Sequence, residues 1–246
     1  MKLNRVMLSV LAGLALIAAL PVRADDKPVT LTRTYKKGDV TRLKAESAVT
    51  TANGDVQAVM TSKFTVKDVK DNGQVVVEQA GEGGKVTIGG NDMDIPASPP
   101  VTVTRDKSGK LVEFKMDEST PGLSTPEISR LMATIGPPIL QDKEVKPGDT
   151  WQTEMDNPAA KGKKVIIKTT FVGIDKVDGT DHWKVKQTAE PDTDANGGKM
   201  NYEATYWLDP ANGQEVKSEA NVKDLPSQYG LLTMKIKTTR LKEDAK

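Results

Sequence analysis

The stretch Lys164–Ala189, KVIIKTTFVGIDKVDGTDHWKVKQTA, decides how the chain is read. Val165, Ile167, Thr169 and Phe171 fall on one side of an extended backbone, because side chains alternate faces along a strand. VDGT (177–180) then supplies a turn whose glycine tolerates the positive φ of a tight reversal. The chain enters a second strand at TDHWKV (180–185). Strand, short turn, strand is an antiparallel hairpin, since parallel pairing needs a crossover of roughly a dozen residues.

The same period of two recurs along the chain. MNYEATYWL (200–208) places Met200, Tyr202, Ala204, Tyr206 and Leu208 together, with Asn201, Glu203, Thr205 and Trp207 opposite. LTMKIKTTRL (232–241) sets Leu232, Met234 and Ile236 against Lys235 and Lys237. KFTVKDV, QVVVEQ, PVTVT and KLVEFKM read alike, as half-buried strands rich in Val, Ile and Thr. ANGD (52–55), KDNG (70–73), DKSG (106–109) and PANG (210–213) punctuate them as turns.

One segment departs from this. STPEISRLMATIGPPIL (124–140) offers Ser124 or Thr125 as a cap, Pro126 in the first turn and Glu127 at the positive end of a helix. Ile128, Leu131, Met132 and Ile135 form one apolar stripe, and GPP (136–138) stops it. The stripe is expected to cover the sheet's core.

The chain also repeats itself with an offset near 110 residues. KKGDVTRL (36–43) matches KPGDTWQT (146–153), and KFTVKDVKDNGQVVVEQA (63–80) matches TTFVGIDKVDGTDHWKVKQTA (169–189). GGKVTI (83–88) matches GGKMNY (197–202), and RDKSGKLV (105–112) matches LDPANGQEV (208–216). Self-similarity in constant order reads as an internal duplication. The expected fold is mainly β: an antiparallel curved sheet, a sandwich or a partial barrel, built from two duplicated β-meanders with one central helix. One domain, 25–246, would hold pseudo-repeats at about 30–116 and 145–242, joined by a linker that carries the helix. One continuous sheet is preferred to two subdomains, because one helix cannot cover two separate sheets.

The first 24 residues read as a signal peptide. Lys2 and Arg5 precede an uncharged run, Val6–Leu20, and PVRA (21–24) ends in the small residues of a cleavage site. A spanning helix needs about 20 apolar residues, and this run stops at Pro21. Cleavage after Ala24 would release an exported protein, periplasmic or extracellular, with no transmembrane segment. The chain has no cysteine, which excludes disulfides, thiol nucleophiles and zinc–cysteine sites. Without Lys2, Arg5 and Arg23 it carries 32 basic and 34 acidic side chains, with both signs interspersed. Few aromatics and no basic run argue against a nucleic-acid partner.

Chemistry is sparsely signalled. DTDANGGKMNYE (192–203) fits the twelve-residue calcium-loop pattern, with Asp192, Asp194, Asn196, Gly197 and Glu203 in place. Against it, Lys199 holds the position usually apolar, and Glu203 falls within a strand; an ordinary polar hairpin is the plainer reading. His182 is the single histidine and has no nucleophile motif beside it. GEGGK (81–85) lacks the spacing of a phosphate loop and reads as a turn. Trp151, Trp183 and Trp207 all lie in the second half, as core packing or as a cavity lining. No catalytic, cofactor-binding or metal residue is assigned, no cofactor is expected, and the chain is read as no enzyme.

YWLDPANGQEVKSE (206–219) resembles a hairpin of the LolA/LolB-like lipoprotein carriers and receptors and their mycobacterial lipid-binding relatives. That resemblance implies an exported, curved half-barrel with a helical lid over an apolar cavity. It transfers no residue roles. With its GDTW and YWLDPANG elements, the chain also resembles exported bacterial β-rich proteins of unknown function, which implies no activity. The functional expectation is a noncatalytic secreted or periplasmic binding protein for a lipid or other apolar small molecule. The alternative is a structural or protein-interaction module whose partner is an envelope protein.

Overall fold

The computed structural model describes residues 27–51, 54–116, 125–193, 198–227 and 230–242. The expected signal peptide, residues 1–24, lies outside them. The strands are β1 (Val29–Thr30), β2 (Val40–Thr51), β3 (Gly54–Val69), β4 (Val75–Ile88), β5 (Asn91–Ile95), β6 (Val101–Arg105) and β7 (Leu111–Lys115). After the helix α1 (Pro126–Ile135) come β8 (Glu144–Val145), β9 (Thr150–Asp156), β10 (Lys164–Val177), β11 (Thr180–Ala189), β12 (Asn201–Leu208), β13 (Glu215–Ser227) and β14 (Gly230–Arg240).

The fold is mainly β. Twelve strands make one open, curved antiparallel sheet in the order β7-β6-β4-β3-β2-β14-β13-β12-β11-β10-β9, with β5 beside the far half of β4. β1 and β8 pair separately. β14 therefore lies between two five-stranded runs of the same chain order, β2-β3-β4-β6-β7 and β9-β10-β11-β12-β13.

The stretches matched in the sequence meet the same local geometry in three cases of four. In the first GD turn the Gly38 N–H donates to Val66 O at 2.8 Å, the Val66 N–H to Asp39 O at 2.9 Å, and the Lys36 N–H to the Asp39 carboxylate at 2.8 Å. In the second, Gly148 donates to Phe171 O at 2.8 Å, Phe171 to Asp149 O at 2.9 Å, and Lys146 to the Asp149 carboxylate at 2.8 Å. The ladder next to each turn slips by one residue, between Val66 and Asp68 and between Phe171 and Gly173. Hairpins β6–β7 and β12–β13 slip alike, at Thr104/Arg105 and at Trp207/Leu208. The fourth match fails: GGKVTI ends β4 and turns back into β5, whereas GGKMNY opens β12.

Helix α1 is capped by Thr125, whose hydroxyl accepts the Ile128 N–H at 3.4 Å. Ile128, Leu131 and Ile135 are buried and Met132 is half-buried. Arg105 holds the far end: its guanidinium donates to Ala133 O at 2.8 Å and Gly136 O at 3.1 Å. A cation on otherwise unsatisfied terminal carbonyls suits the negative end of a helix.

The core is lopsided. The helix stripe packs with Val165, Ile167, Phe171, Trp183, Val185, Tyr202, Tyr206 and Leu208 of the second run of strands, and with Met200 just before β12. Of β2–β5, only Val49 joins this core, with Val56 packed against it.

Candidate functional site

The register defines which side chains of β2–β5 lie on the core side. Val49 pairs with Met234 and Val56, and alternation carries the same face to Leu43, Ala45, Ala58, Met60 and Phe64. On β4 and β5 it continues through Val86, Ile88, Met93 and Ile95, which pair Ala58 with Val86, Val86 with Met93 and Gly84 with Ile95. The opposite face bears Lys44, Glu46, Gln57, Lys63, Lys85, Asp92 and Asp94. These strands are amphipathic, as a sheet with one buried face should be. Yet Met60, Ile88 and Met93 are 41%, 46% and 48% exposed. The apolar face thus runs out of the core into solvent.

Glycine shapes this surface. The ladder slips between Thr61 and Ser62, leaving Glu82 without a partner residue on β3. Gly83 has a φ of +96°, and a Cβ on Gly84 would meet Val59 O at 2.1 Å. Here β4 leaves β6, its neighbour up to Gln79, and takes β5 as neighbour from Gly84. The missing side chain at Gly84 lies opposite Met60 and Ile95.

At one end of the same face sits a charged cluster. Arg240 follows Ile236 and Thr238 in phase and pairs with Leu43. Its Nε and Nη2 are closed off from solvent and have no hydrogen-bond partner among the described residues, while Nη1 lies 3.9 Å from Asp209. Arg33 donates to Gly213 O at 3.2 Å and Pro138 O at 3.3 Å. Burial lowers Arg105 to about 10 and also lowers Arg240. Burial pushes the Glu215 carboxyl up, opposed by a Ser218 hydrogen bond and by Arg33 and Arg240. Tyr202 and Tyr206 share a hydrogen bond beside Gly136, and burial drives both phenols up. An open cleft of about 650 Å³ lies beside Arg240, lined also by Asp39, Arg42, Asn212 and Gln214. Sequence reasoning missed this cluster. Its signal was a charge in apolar phase: Arg105 follows Val101 and Val103, and Arg240 follows Leu232, Met234 and Ile236.

Of the residues singled out in the sequence, those described do not converge on one site. Asp192 and Lys199 form an isolated backbone β-bridge, and Glu203 pairs with Lys186 at 2.5 Å on the outer face of β12. Asp194, Asn196 and Gly197 lie outside the described residues. Among the described residues no group of three or more His, Cys, Asp and Glu could hold a metal ion. His182 is buried, its Nδ1 2.8 Å from Thr180 O. Trp151 donates to Ile139 O at 2.9 Å within the core, and Trp183 packs there too. Trp207 lies on the other face beneath Lys184 and Lys217, whose ammonium groups are 5.2 and 4.5 Å from its ring centre. At this end of β12 both faces are covered, one by the core and one by lysine stems, which accommodates Tyr206 and Trp207 side by side.

No protein-family model and no curated protein matches the chain. Among solved structures, it is similar to the hypothetical lipoprotein YmcC from Escherichia coli (K12), at 12% identity over 82% of this chain and 85% of that one, with a TM-score of 0.29. It is also similar to a DUF1329 family protein from Desulfovibrio piger, at 8% identity over 82% and 84%, with a TM-score of 0.24. Likenesses this slight carry no argument about what the chain does. Among the described residues, no helix is long and apolar enough to cross a membrane.

Proposed function

We propose that this is an exported, noncatalytic binding protein that holds a lipid or other apolar molecule against the core-side face of β2–β5. The observation that carries the reading is the uncovered apolar face, with Met60, Ile88 and Met93 between 41% and 48% exposed. A contiguous exposed apolar patch on a protein surface marks a binding site more often than an accident of packing. Burying one such half-exposed side chain stabilises by about 1 kcal/mol, so a ligand spanning several of them gains affinity. Methionine suits such a face, because its flexible thioether adapts to ligands of different shape.

The mature chain, Asp25–Lys246, purified without detergent and extracted with organic solvent, should release about one equivalent of an apolar molecule detectable by mass spectrometry. Met60→Asp should abolish that cargo and leave the melting temperature nearly unchanged, since Met60 lies outside the main core. A blank extract from a cooperatively folded wild-type protein would overturn the reading.

A further inference from the structure

Among the described residues, β9 closes one end of the sheet and pairs on one side only, with β10. Its counterpart is β2, reached through the other GD turn 110 residues earlier. Both strands leave that turn with the same hydrogen bonds, so their backbones start in the same phase. Asp149 O accepts from Phe171, which fixes residues 151, 153 and 155 as those bonded to β10. The N–H and C=O groups of Thr150, Gln152, Glu154 and Asp156 therefore point away from the sheet, and all four residues are exposed. In β2 the corresponding groups are taken by the C-terminal strand: Arg42 O accepts the Leu241 N–H at 2.9 Å, and Gln152 stands where β2 has Arg42. The other end of the sheet differs. There Arg130 of α1 donates to Phe114 O of β7 at 3.2 Å, so a carbonyl of that edge strand is already taken.

We propose that the outer edge of β9 is a docking site for an extended segment of a partner protein, which adds antiparallel to β9 as β14 adds to β2. The chemistry of the segment follows from the side chains. On β2 the solvent face offers Lys44 and Glu46, and β14 sets Thr239 and Lys237 opposite them. On β9 the same places hold Glu154 and Asp156, the latter already paired with Lys164 at 2.6 Å. The edge strand itself carries two carboxylates and no basic residue, so the partner carries Lys or Arg on its outward positions and apolar residues between them. Main-chain hydrogen bonds supply the affinity and the alternating side chains the specificity, the usual division in strand addition. This site is separate from the apolar face of β2–β5 and does not depend on it.

A synthetic peptide with the sequence of Gly230–Arg240, GLLTMKIKTTR, is the probe. Added to the mature chain, it should slow hydrogen exchange at the Gln152 and Glu154 amides at least tenfold, and more salt should weaken it. Gln152→Pro removes an outward N–H without touching the β10 ladder, and should abolish that protection at unchanged melting temperature. Glu154→Lys, an exposed change, should weaken binding several-fold and covers the case in which the proline variant does not fold. Absent protection at β9, protection at β2 amides instead, or full binding by Glu154→Lys would overturn the proposal. So would concentration-dependent protection of β9 without peptide, which would make a second copy of this chain the occupant.

Discussion

Gln187 is fully buried on β11, and its side chain satisfies three groups at once. Its Oε1 accepts the Ile139 N–H at 3.0 Å and the Thr169 hydroxyl at 3.1 Å, while its Nε2 donates to Ile135 O. It fastens the end of α1 to the sheet. Gln187→Leu keeps the volume and leaves those groups unpaired, so it should cost about 2–4 kcal/mol, read by urea unfolding. Asp175 works at the surface. Hydrogen bonds from Lys184 at 2.8 Å and Trp207 Nε1 at 3.1 Å hold its carboxyl down, to about 2. Its depressed folded value means the contribution is present above the ordinary carboxylate range and lost as pH falls towards 2. Asp175→Asn should lower stability by about 0.5–1 kcal/mol at pH 7, a modest effect because the pair is partly solvated. In melts followed from pH 7 to pH 2, the difference from wild type should vanish.

At the scale of elements, β4 bends because its sequence allows it. GEGGK reads as an isolated turn, but its glycines lie inside a strand, where the chain changes neighbours from β6 to β5. A side chain at Gly84 would collide with the β3 backbone, not with a movable side-chain tip. Gly84→Ala should therefore destabilise by about 1–3 kcal/mol, measured by thermal melting, and should loosen the β4–β5 hairpin first. Helix α1 depends on a weaker local device. Thr125→Ala removes the cap and should cost about 1 kcal/mol without changing the stripe that packs into the core.

Across the whole molecule, stability is unevenly shared. The second run of strands buries one face against α1, while β3 to β5 have both faces at least partly open to solvent. Local opening follows burial. Amides of β3–β5 should exchange markedly faster than those of β10–β12 in native-state hydrogen exchange. An apolar ligand on β2–β5 should narrow that gap, and a ligand elsewhere should not. β14 is the joint, since it pairs with β13 on one side and β2 on the other and makes one sheet of the two runs.

Much of this was written locally in the sequence. Alternation placed Val165, Ile167, Thr169 and Phe171 inward, and all four are buried, because the period of a strand is a property of its own backbone. Thr125, Pro126 and Gly136 delimited the helix for the same reason: caps and stops act on neighbouring N–H and C=O groups. The antiparallel sheet and its one helix were legible on these grounds. Which face of β2–β5 goes uncovered was not, because Met60 and Met200 look alike in a strand until the position of α1 is known. Arg33, Arg105, Arg240 and Glu215 are up to 207 residues apart, and only the strand order brings them together. The open edge of β9 likewise belongs to the fold, since an edge exists only relative to the strands that do not reach it. Sequence determined what each segment is; tertiary structure decided what each segment faces, because contact between distant residues depends on how whole elements pack.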